Sequence, residues 1–220
     1  MDHPGSSVTF PAKEPLWPGR GPQRRATSLT LRDGAFRSQY AAIKFNVGNY
    51  SQVRAVTEHL INQGVLGAEL DQQIRDRASR QVGLSCLFEQ LPDPANRVVP
   101  SAGQRDALGL PRPEIYYAIE DYVRTSAAHA GEHFARFAEL LGGTNIRYPD
   151  TFSGNNHMMG TTMMGNDPCD SVVDRDCRSH DHDNLFIASS SVFPKSAVVN
   201  PTLGIAALAI RIADTIRGVL

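Results

Sequence analysis

Residues 155–216 read NNHMMGTTMMGNDPCDSVVDRDCRSHDHDNLFIASSSVFPKSAVVNPTLGIAALAIRIADTI, and they fall into two parts of different character. The first part, up to residue 183, is rich in Gly, Asn, Asp, His and Ser and lacks helical or strand periodicity. A polar, irregular segment of this kind inside a compact domain is usually functional. The second part predicts a short buried strand over 184–191 and then a helix that begins at Asn200-Pro201, since Asn is a good N-cap and Pro is favoured at the first helical position.

Upstream of this stretch, the sequence predicts an antiparallel sheet backed by helices. Apolar periodicity predicts helices, and short alternating runs separated by Pro and Gly predict strands. The predicted helices are 51–63, 67–80 and 120–141, the last ended by Gly142-Gly143, and the predicted strands are SSVTF near the start, 81–91, 97–100 and 113–119. The predicted fold class is therefore α+β, with a C-terminal strand and helix whose apolar face is Ile205, Leu208, Ile212, Ile216 and Val219.

Composition excludes several classes of function. The 22 basic and 23 acidic residues give a net charge of −1, so nothing indicates a nucleic-acid footprint. No apolar run approaches the roughly 18 residues of a membrane span, so no direct membrane insertion is expected. The first ten residues do not have the pattern of a signal peptide. Three cysteines make an odd number, which is not a disulfide framework.

Two clusters of potential metal ligands provide alternatives. HAGEH, His129 to His133, fits the inverted zincin pattern and would suit a zinc metallohydrolase with Glu132 as base. Gly131 weakens a helix there and no third ligand is evident, so a solvated helix face is the favoured interpretation. The second cluster is Cys169, Cys177, His180 and His182, whose spacing matches no usual zinc module and favours a polar surface loop.

A third pattern pairs His157 with Asn200. The surrounding sequence contains, in order, the motifs H-x-x-G-T-x-x-M-G, SVVD, NLFIASSSVFP and NPTL, followed by an apolar helix. This series of motifs resembles the C-terminal segment of the glucose–methanol–choline (GMC) flavin oxidoreductases. Three regions further upstream are also similar to this family: MDHPG, EPLWPGRGPQ, and NRVVPS together with LGLPRPEIYYAI. Within it, the sequence resembles the flavoprotein subunits of gluconate and fructose dehydrogenases. The resemblance implies a substrate-binding part over 1–150 and the family's C-terminal segment over 151–220.

The resemblance implies an FAD-dependent oxidation of a CH–OH group in a sugar, sugar acid or polyol. In that reaction His157 stands at the position of the base that takes the alcohol proton while hydride goes to flavin N5. Asn200 stands where the family has a second His or Asn that hydrogen-bonds the substrate oxygen. A histidine with an ordinary pKa near 6.5 is largely neutral at pH 7 and can accept that proton. If Asn200 capped its own helix, however, its side chain would not face the substrate.

The resemblance also implies which residues contact FAD. Ser189 and Ser190 stand at an Asp-Gly or Asp-Ala pair near the ribityl and pyrophosphate groups, and serine at 189 departs from the usual Asp. Pro201 and Thr202 stand where backbone meets the flavin pyrimidine ring. Because Pro201 has no N–H, Thr202 or Leu203 must be the donor there. A helix that begins at this point would direct its positive dipole end at the reduced ring.

The fingerprint G-x-G-x-x-G, which binds the ADP half of FAD, does not occur in this sequence. We therefore expect a fragment that lacks the N-terminal Rossmann half, binds FAD weakly or not at all and is inactive alone. Expected partners are the missing half, a small subunit and a cytochrome c subunit, on the periplasmic side of the membrane if the protein behaves like the related dehydrogenases. A non-catalytic remnant that only binds a partner is the remaining alternative.

Overall fold

The computed structural model describes residues 1–148 and 151–219, and for Val219 the backbone alone. Asp150, at the predicted domain boundary, and the Val219 side chain in the predicted helix stripe thus lie outside the described residues. The chain forms two compact units. We call them the site unit, which is Met1–Pro4, Glu89–Val123 and Gly154–Leu220, and the sheet unit, which is Gly5–Phe88 and Arg124–Ser153.

The sheet unit contains a four-stranded sheet in the order β1-β4-β3-β2, with every neighbouring pair antiparallel. Its strands are β1 (Gly5–Pro11), β2 (Arg24–Leu31), β3 (Ile43–Gly48) and β4 (Gln81–Phe88). Helices α1 (Val53–Asn62) and α2 (Gly67–Arg80) lie between β3 and β4 in the chain. Alternate side chains of β1 and β4 are buried, as expected for strands with one face on a core: Val8, Phe10, Val82, Leu84 and Cys86.

Helix α3 (Asp121–Leu140) packs on this sheet from residue 124 onward. Phe45 of β3 contacts Phe134 edge-on, with 5.7 Å between ring centroids. The helix ends at Leu140 and, as predicted, is terminated by the glycine pair that follows, where Gly142 has a left-handed φ of 58°. The Gly143 N–H donates to Ala138 O at 2.7 Å and the Gly142 N–H to Glu139 O at 3.0 Å, which together form a Schellman motif.

The site unit contains a hairpin, a long helix and much irregular backbone. Strands β5 (Arg97–Arg105) and β6 (Pro111–Tyr116) pair antiparallel, and helix α4 spans Thr202–Val219. A core cluster attaches α4 to the polar segment through four buried residues: Val173, Cys177, Val192 and Ile212. The prediction of a mixed α and β fold with antiparallel sheets is confirmed. Among the described residues, no helix is both long and apolar enough to span a membrane.

The predicted strand over 184–191 is wrong. Phe186 pairs with Arg178 in a single isolated bridge, and residues Ser190–Val192 form a 3-10 turn. Ser189 starts that turn because its Oγ accepts the Ser191 N–H at 3.2 Å. Serine side chains that bond nearby backbone compete with a strand ladder in this way, so the apolar run alone did not determine a strand.

Candidate active site

The structure brings His157 and Asn200 together, although they are 43 residues apart in sequence. Asn200 Nδ2 lies 3.2 Å from His157 Nε2. His157 is half-buried and lies in the irregular segment, whereas Asn200 is exposed and immediately precedes Pro201 and α4. The Asn200 side chain therefore faces the imidazole, and the two side chains present a nitrogen base and an amide donor at one point.

Asp2 holds the backbone around His157. Its Oδ1 accepts the His157 N–H at 2.8 Å and the His3 N–H at 2.6 Å, while Oδ2 accepts the Asn155 N–H at 3.1 Å. Asn156 adopts φ 56°, a left-handed conformation that Asn tolerates, and consecutive N–H groups around such a residue form an anion-binding nest. Burial acts to raise the pKa of Asp2, but these backbone donors outweigh it and hold the pKa below its ordinary value. The carboxylate is therefore ionised at neutral pH.

A second histidine, His3, lies directly behind His157. The two Nδ1 atoms are 2.9 Å apart, and the rings meet edge-on with 5.0 Å between centroids. On its other side, His3 Nε2 lies 3.2 Å from Ser196 O and 3.1 Å from Ala197 O. His3 is fully buried, and burial is the main reason that its pKa lies below the ordinary value.

Gln90 and Ser196 support His3 from behind. The Gln90 N–H donates to Ser196 Oγ at 2.8 Å, and this hydroxyl donates back to Gln90 O at 2.9 Å. Gln90 Oε1 accepts from the Asp2 N–H at 3.0 Å and from the Tyr117 hydroxyl at 3.1 Å. Burial, followed by the nearby Asp2 charge, raises the pKa of Tyr117 to about 12, so this hydroxyl stays protonated and keeps donating. The two histidines thus rest on a fixed polar network.

The four residues predicted to contact a cofactor divide into two pairs. Ser189 Oγ accepts from the Ser191 N–H, and Ser190 Oγ donates to Met158 O at 2.7 Å, so both hydroxyls already have a partner in the chain. Pro201 is buried and its carbonyl accepts the Ile205 N–H at 3.0 Å, the bond that opens α4. Thr202 is exposed as the first helical residue. The first N–H groups of any helix have no acceptor within the helix, so this end of α4 can bind a ligand with partial negative charge.

The proposed metal ligands do not assemble into a site. His129 stacks on Tyr40 with 4.1 Å between centroids, and His133 lies against Phe45 at 5.3 Å. His180 Nε2 lies 2.9 Å from Ser171 Oγ, while Cys177 is buried in the apolar cluster. Over residues 1–148 and 151–219, no group of three or more His, Cys, Asp or Glu side chains could hold a metal ion. The zincin alternative therefore has no geometry to support it.

Sequence reasoning missed the residues that hold His157 in place. Asp2 and His3 belong to the MDHPG motif, which the resemblance placed next to the cofactor-binding half without giving it a role. One feature could have indicated their role: Asp2 and His3 are adjacent in a short motif, and His3 is one of only seven histidines in the sequence. Gln90 and Ser196 gave no signal, because a lone amide and a lone hydroxyl are common in any polar loop.

Residues 92–209 match the protein-family profile described as GMC oxidoreductase. The fructose dehydrogenase large subunit of Gluconobacter japonicus is 43% identical over 216 residues, which are 98% of this chain and 40% of that protein. The chain belongs to the GMC oxidoreductase family.

Further relatives match shorter parts of the chain. The 2-methyl-1,2-propanediol dehydrogenase of Mycolicibacterium austroafricanum is 33% identical over 58% of this chain and 24% of its own length. The gluconate 2-dehydrogenase flavoprotein of Pantoea cypripedii is 37% identical over 34% of this chain and 12% of its own length. The crystal structure of pyridoxine 4-oxidase from Mesorbium loti has a TM-score of 0.61 at 20% identity, covering 98% of this chain and 42% of that one, which shows a shared fold. This chain thus spans less than half the length of these relatives.

Proposed function

We propose that this chain forms part of an FAD-dependent enzyme that oxidises the CH–OH group of a sugar, sugar acid or polyol. Membership of the GMC family and relatives named for fructose, gluconate and a propanediol support this class of substrate. The observation that carries the proposal is the 3.2 Å separation of His157 Nε2 and Asn200 Nδ2. An alcohol hydroxyl in reach of both atoms can donate to the imidazole and accept from the amide.

In the proposed reaction, His157 Nε2 takes the hydroxyl proton. Asn200 donates from Nδ2 to the substrate oxygen and so stabilises the negative charge that develops there without adding a charge of its own. Bound FAD would supply the hydride acceptor that the two-electron oxidation of the alcohol to a carbonyl requires. The ionised Asp2 holds the His157 backbone through its Oδ1, which accepts the His157 N–H.

The residues around the pair suit a flat, mostly apolar ring. Met158, next to His157, is 66% exposed, and Leu203, in the first turn of α4, is 83% exposed. The N–H groups of Thr202 and Leu203 open α4, where the helix dipole favours negative charge such as that of a reduced flavin. We propose Pro201 and Thr202 as contacts to the ring, and Ser189 and Ser190 as contacts to the ribityl and pyrophosphate part.

The broader organisation is also a proposal. We propose that residues 1–150 belong to the substrate-binding part and 151–220 to the C-terminal segment of the family. The relatives named as a large subunit and a flavoprotein support subunit partners, for which we propose a small subunit and a cytochrome c subunit. A periplasmic location would follow from the same likeness. We further propose that binding the ADP half of FAD requires an N-terminal Rossmann half, because its glycine fingerprint is not in this sequence.

The experiment that tests the function is anaerobic flavin reduction by sugars, sugar acids and polyols in the holoenzyme. We expect His157→Gln to lower the rate of flavin bleaching by about 10²–10⁴-fold, the usual contribution of a general base. Flavin absorbance of the purified variant shows whether the cofactor is still bound. A variant with full flavin content and an unchanged rate would rule out His157 as the base, and no bleaching by any substrate of this class in the wild type would rule out the function.

A further inference from the structure

We propose that His3 is a positioning residue that fixes the tautomer of His157, so that Nε2 is the basic atom of that imidazole. The role of His157 as base rests on the function proposed above, whereas the tautomer itself follows from hydrogen bonding alone. In the neutral form of a histidine, one ring nitrogen is a donor and the other an acceptor, and the partner of one nitrogen determines the state of the other.

The buried side of His3 determines which of its ring nitrogens carries the proton. Its Nε2 faces the carbonyl oxygens of Ser196 and Ala197 at 3.2 and 3.1 Å. A carbonyl oxygen can only accept, so Nε2 must carry a proton. The Ala197 backbone has a left-handed φ of 50°, which is costly for alanine and shows that the surrounding structure holds this segment in place.

The charge of His3 determines the state of its other ring nitrogen. It is fully buried, and burial lowers its pKa, so the ring is neutral at neutral pH. A neutral ring protonated at Nε2 has a lone pair at Nδ1. Because His3 Nδ1 and His157 Nδ1 are 2.9 Å apart, the hydrogen between them must belong to His157.

It follows that neutral His157 is protonated at Nδ1 and has its lone pair at Nε2. Asn200 independently agrees with this assignment, since its amide nitrogen, a donor, lies 3.2 Å from Nε2. Asp2 Oδ1 accepts the backbone N–H groups of both His3 and His157, which ties the backbones of the two residues to one carboxylate. When Nε2 accepts a proton, the Nδ1–H bond to His3 is kept, and the proton stays on the half-buried ring rather than passing to the fully buried one.

The test is to measure the ring-nitrogen protonation of His157 by long-range ¹H–¹⁵N correlation in the full 220-residue chain labelled at histidine. The chain has seven histidines, so the His157 signals are assigned by their loss in His157→Gln. We expect His157 to be protonated at Nδ1 and His3 at Nε2. A wild-type His157 protonated at Nε2 would overturn the proposal, whether or not any variant folds.

Two substitutions at His3 separate positioning from structural support. His3→Leu removes the acceptor, and we expect His157 to shift toward the Nε2–H form that free imidazoles favour. His3→Asn can offer an amide oxygen to Nδ1 and should keep the Nδ1–H form. His180→Asn is the matched control: it replaces a histidine of the same unit that bonds Ser171, and it should leave the His157 signals unchanged. An unshifted tautomer in a folded His3→Leu variant would overturn the proposal.

In the holoenzyme, we expect a high kcat in variants whose His157 stays protonated at Nδ1 and a lower kcat in variants whose His157 does not. We expect His3→Leu to lower kcat by about 10–100-fold, as is typical when the partner of a functional histidine is lost, and His3→Asn to restore most of it. Equal loss in both variants, with the tautomer intact in His3→Asn, would mean that His3 has only a structural role. If His157 is an Nδ1–H tautomer but no alcohol is oxidised, the proposed function fails while the tautomer assignment stands.

Discussion

Asp2 is a small residue whose side chain connects distant parts of the chain at the site. One carboxylate accepts the N–H groups of His3, His157 and Asn155, and so it fixes a segment that begins more than 150 positions away. The left-handed Asn156 makes this convergence possible, because it turns successive N–H groups toward one point. The reactivity proposed for His157 therefore depends on a residue at the other end of the described chain.

We predict that Asp2→Asn lowers stability in a pH-dependent way. The variant loses charge-assisted bonds from a half-exposed carboxylate, which we expect to cost about 1–2 kcal/mol, or a fall in Tm of about 2–8 °C. The folded-state pKa of Asp2 lies below its ordinary value of about 3.9, so this stabilisation is complete above that pH and is lost as the pH falls through the folded-state value. Thermal unfolding of the wild type and of Asp2→Asn, measured from pH 7 down to pH 3, should show the difference between their Tm values becoming smaller as the pH falls.

The control for that prediction is Asp183→Asn, an exposed carboxylate of the same unit, which should change the free energy of unfolding by no more than about 0.5 kcal/mol. A loss that is equal at pH 7 and pH 3 would contradict the assignment of the effect to the ionised carboxylate.

We predict that Asn200→Asp shifts the pH dependence of turnover. A carboxylate at this point lies beside His157 Nε2, favours the imidazolium and raises the pKa of the base. Because the base works in its neutral form, the acidic limb of kcat/KM should move up by about one pH unit, and turnover should fall at pH 7. Asn184→Asp adds the same charge at another exposed position and should leave the profile in place. An unmoved profile in Asn200→Asp would contradict the proposed contact.

The sequence predicted one site pair, His157 and Asn200, because both lie in long motifs, and the structure brings them together. It could not predict His3 behind His157, because a contact across 154 positions leaves no spacing pattern to recognise. It also could not predict that the Asn200 amide nitrogen faces His157, because an Asn just before a helix is equally typical of a cap that bonds its own backbone.

Among the helices and strands, apolar periodicity in the sequence predicted those elements whose buried residues follow the same periodicity. The helices at 53–62, 67–80 and 121–140 all had apolar stripes or clear stop signals. Strands β2 and β3 were not predicted, and their residues explain why. Strand β2 is mostly exposed and polar, as an edge strand can be, whereas β3 buries Lys44 and Asn46 among its apolar residues and so lacks the expected alternation.

We predict that Ile212→Ala destabilises the site unit while Ile210→Ala does not. Ile212 is 5% exposed and packs in the cluster with Val173, Cys177 and Val192, whereas Ile210, on the same helix, is 67% exposed. The buried substitution should cost about 2–4 kcal/mol in free energy of unfolding, and the exposed one at most about 0.5 kcal/mol. Urea unfolding followed by circular dichroism measures both. Equal costs would mean that α4 is not held by this cluster.

The chain as a whole corresponds to 40% of the fructose dehydrogenase large subunit. The site unit brings together an imidazole, an amide and a helix end, and the sequence predicted that His157, Asn200 and the start of α4 would meet. The division into two units built from separated segments could not be predicted, because composition changes near residue 150 but the contacts do not follow that change. The predicted boundary at 150 stays a prediction.

We predict that the 220 residues alone bind FAD weakly and that co-expression with the N-terminal half of a relative restores binding. The reason is that the glycine fingerprint for the ADP half is not in this sequence. Flavin absorbance of the purified pair and reduction of a dye by sugars measure the result. In the same pair, His157→Gln should keep the flavin and lose dye reduction. Stable, stoichiometric FAD on the chain alone would contradict the prediction.

The contact between His3 and His157 also constrains how the protein is made. The two residues are 154 positions apart, and ribosomes add about 5–20 residues per second, so His3 is synthesised about 8–30 s before His157. During that interval the buried ends of the site unit cannot pair, and the MDHPG segment is open to proteases and chaperones. Slow codons or pauses between these positions would lengthen the interval in which His3 has no partner.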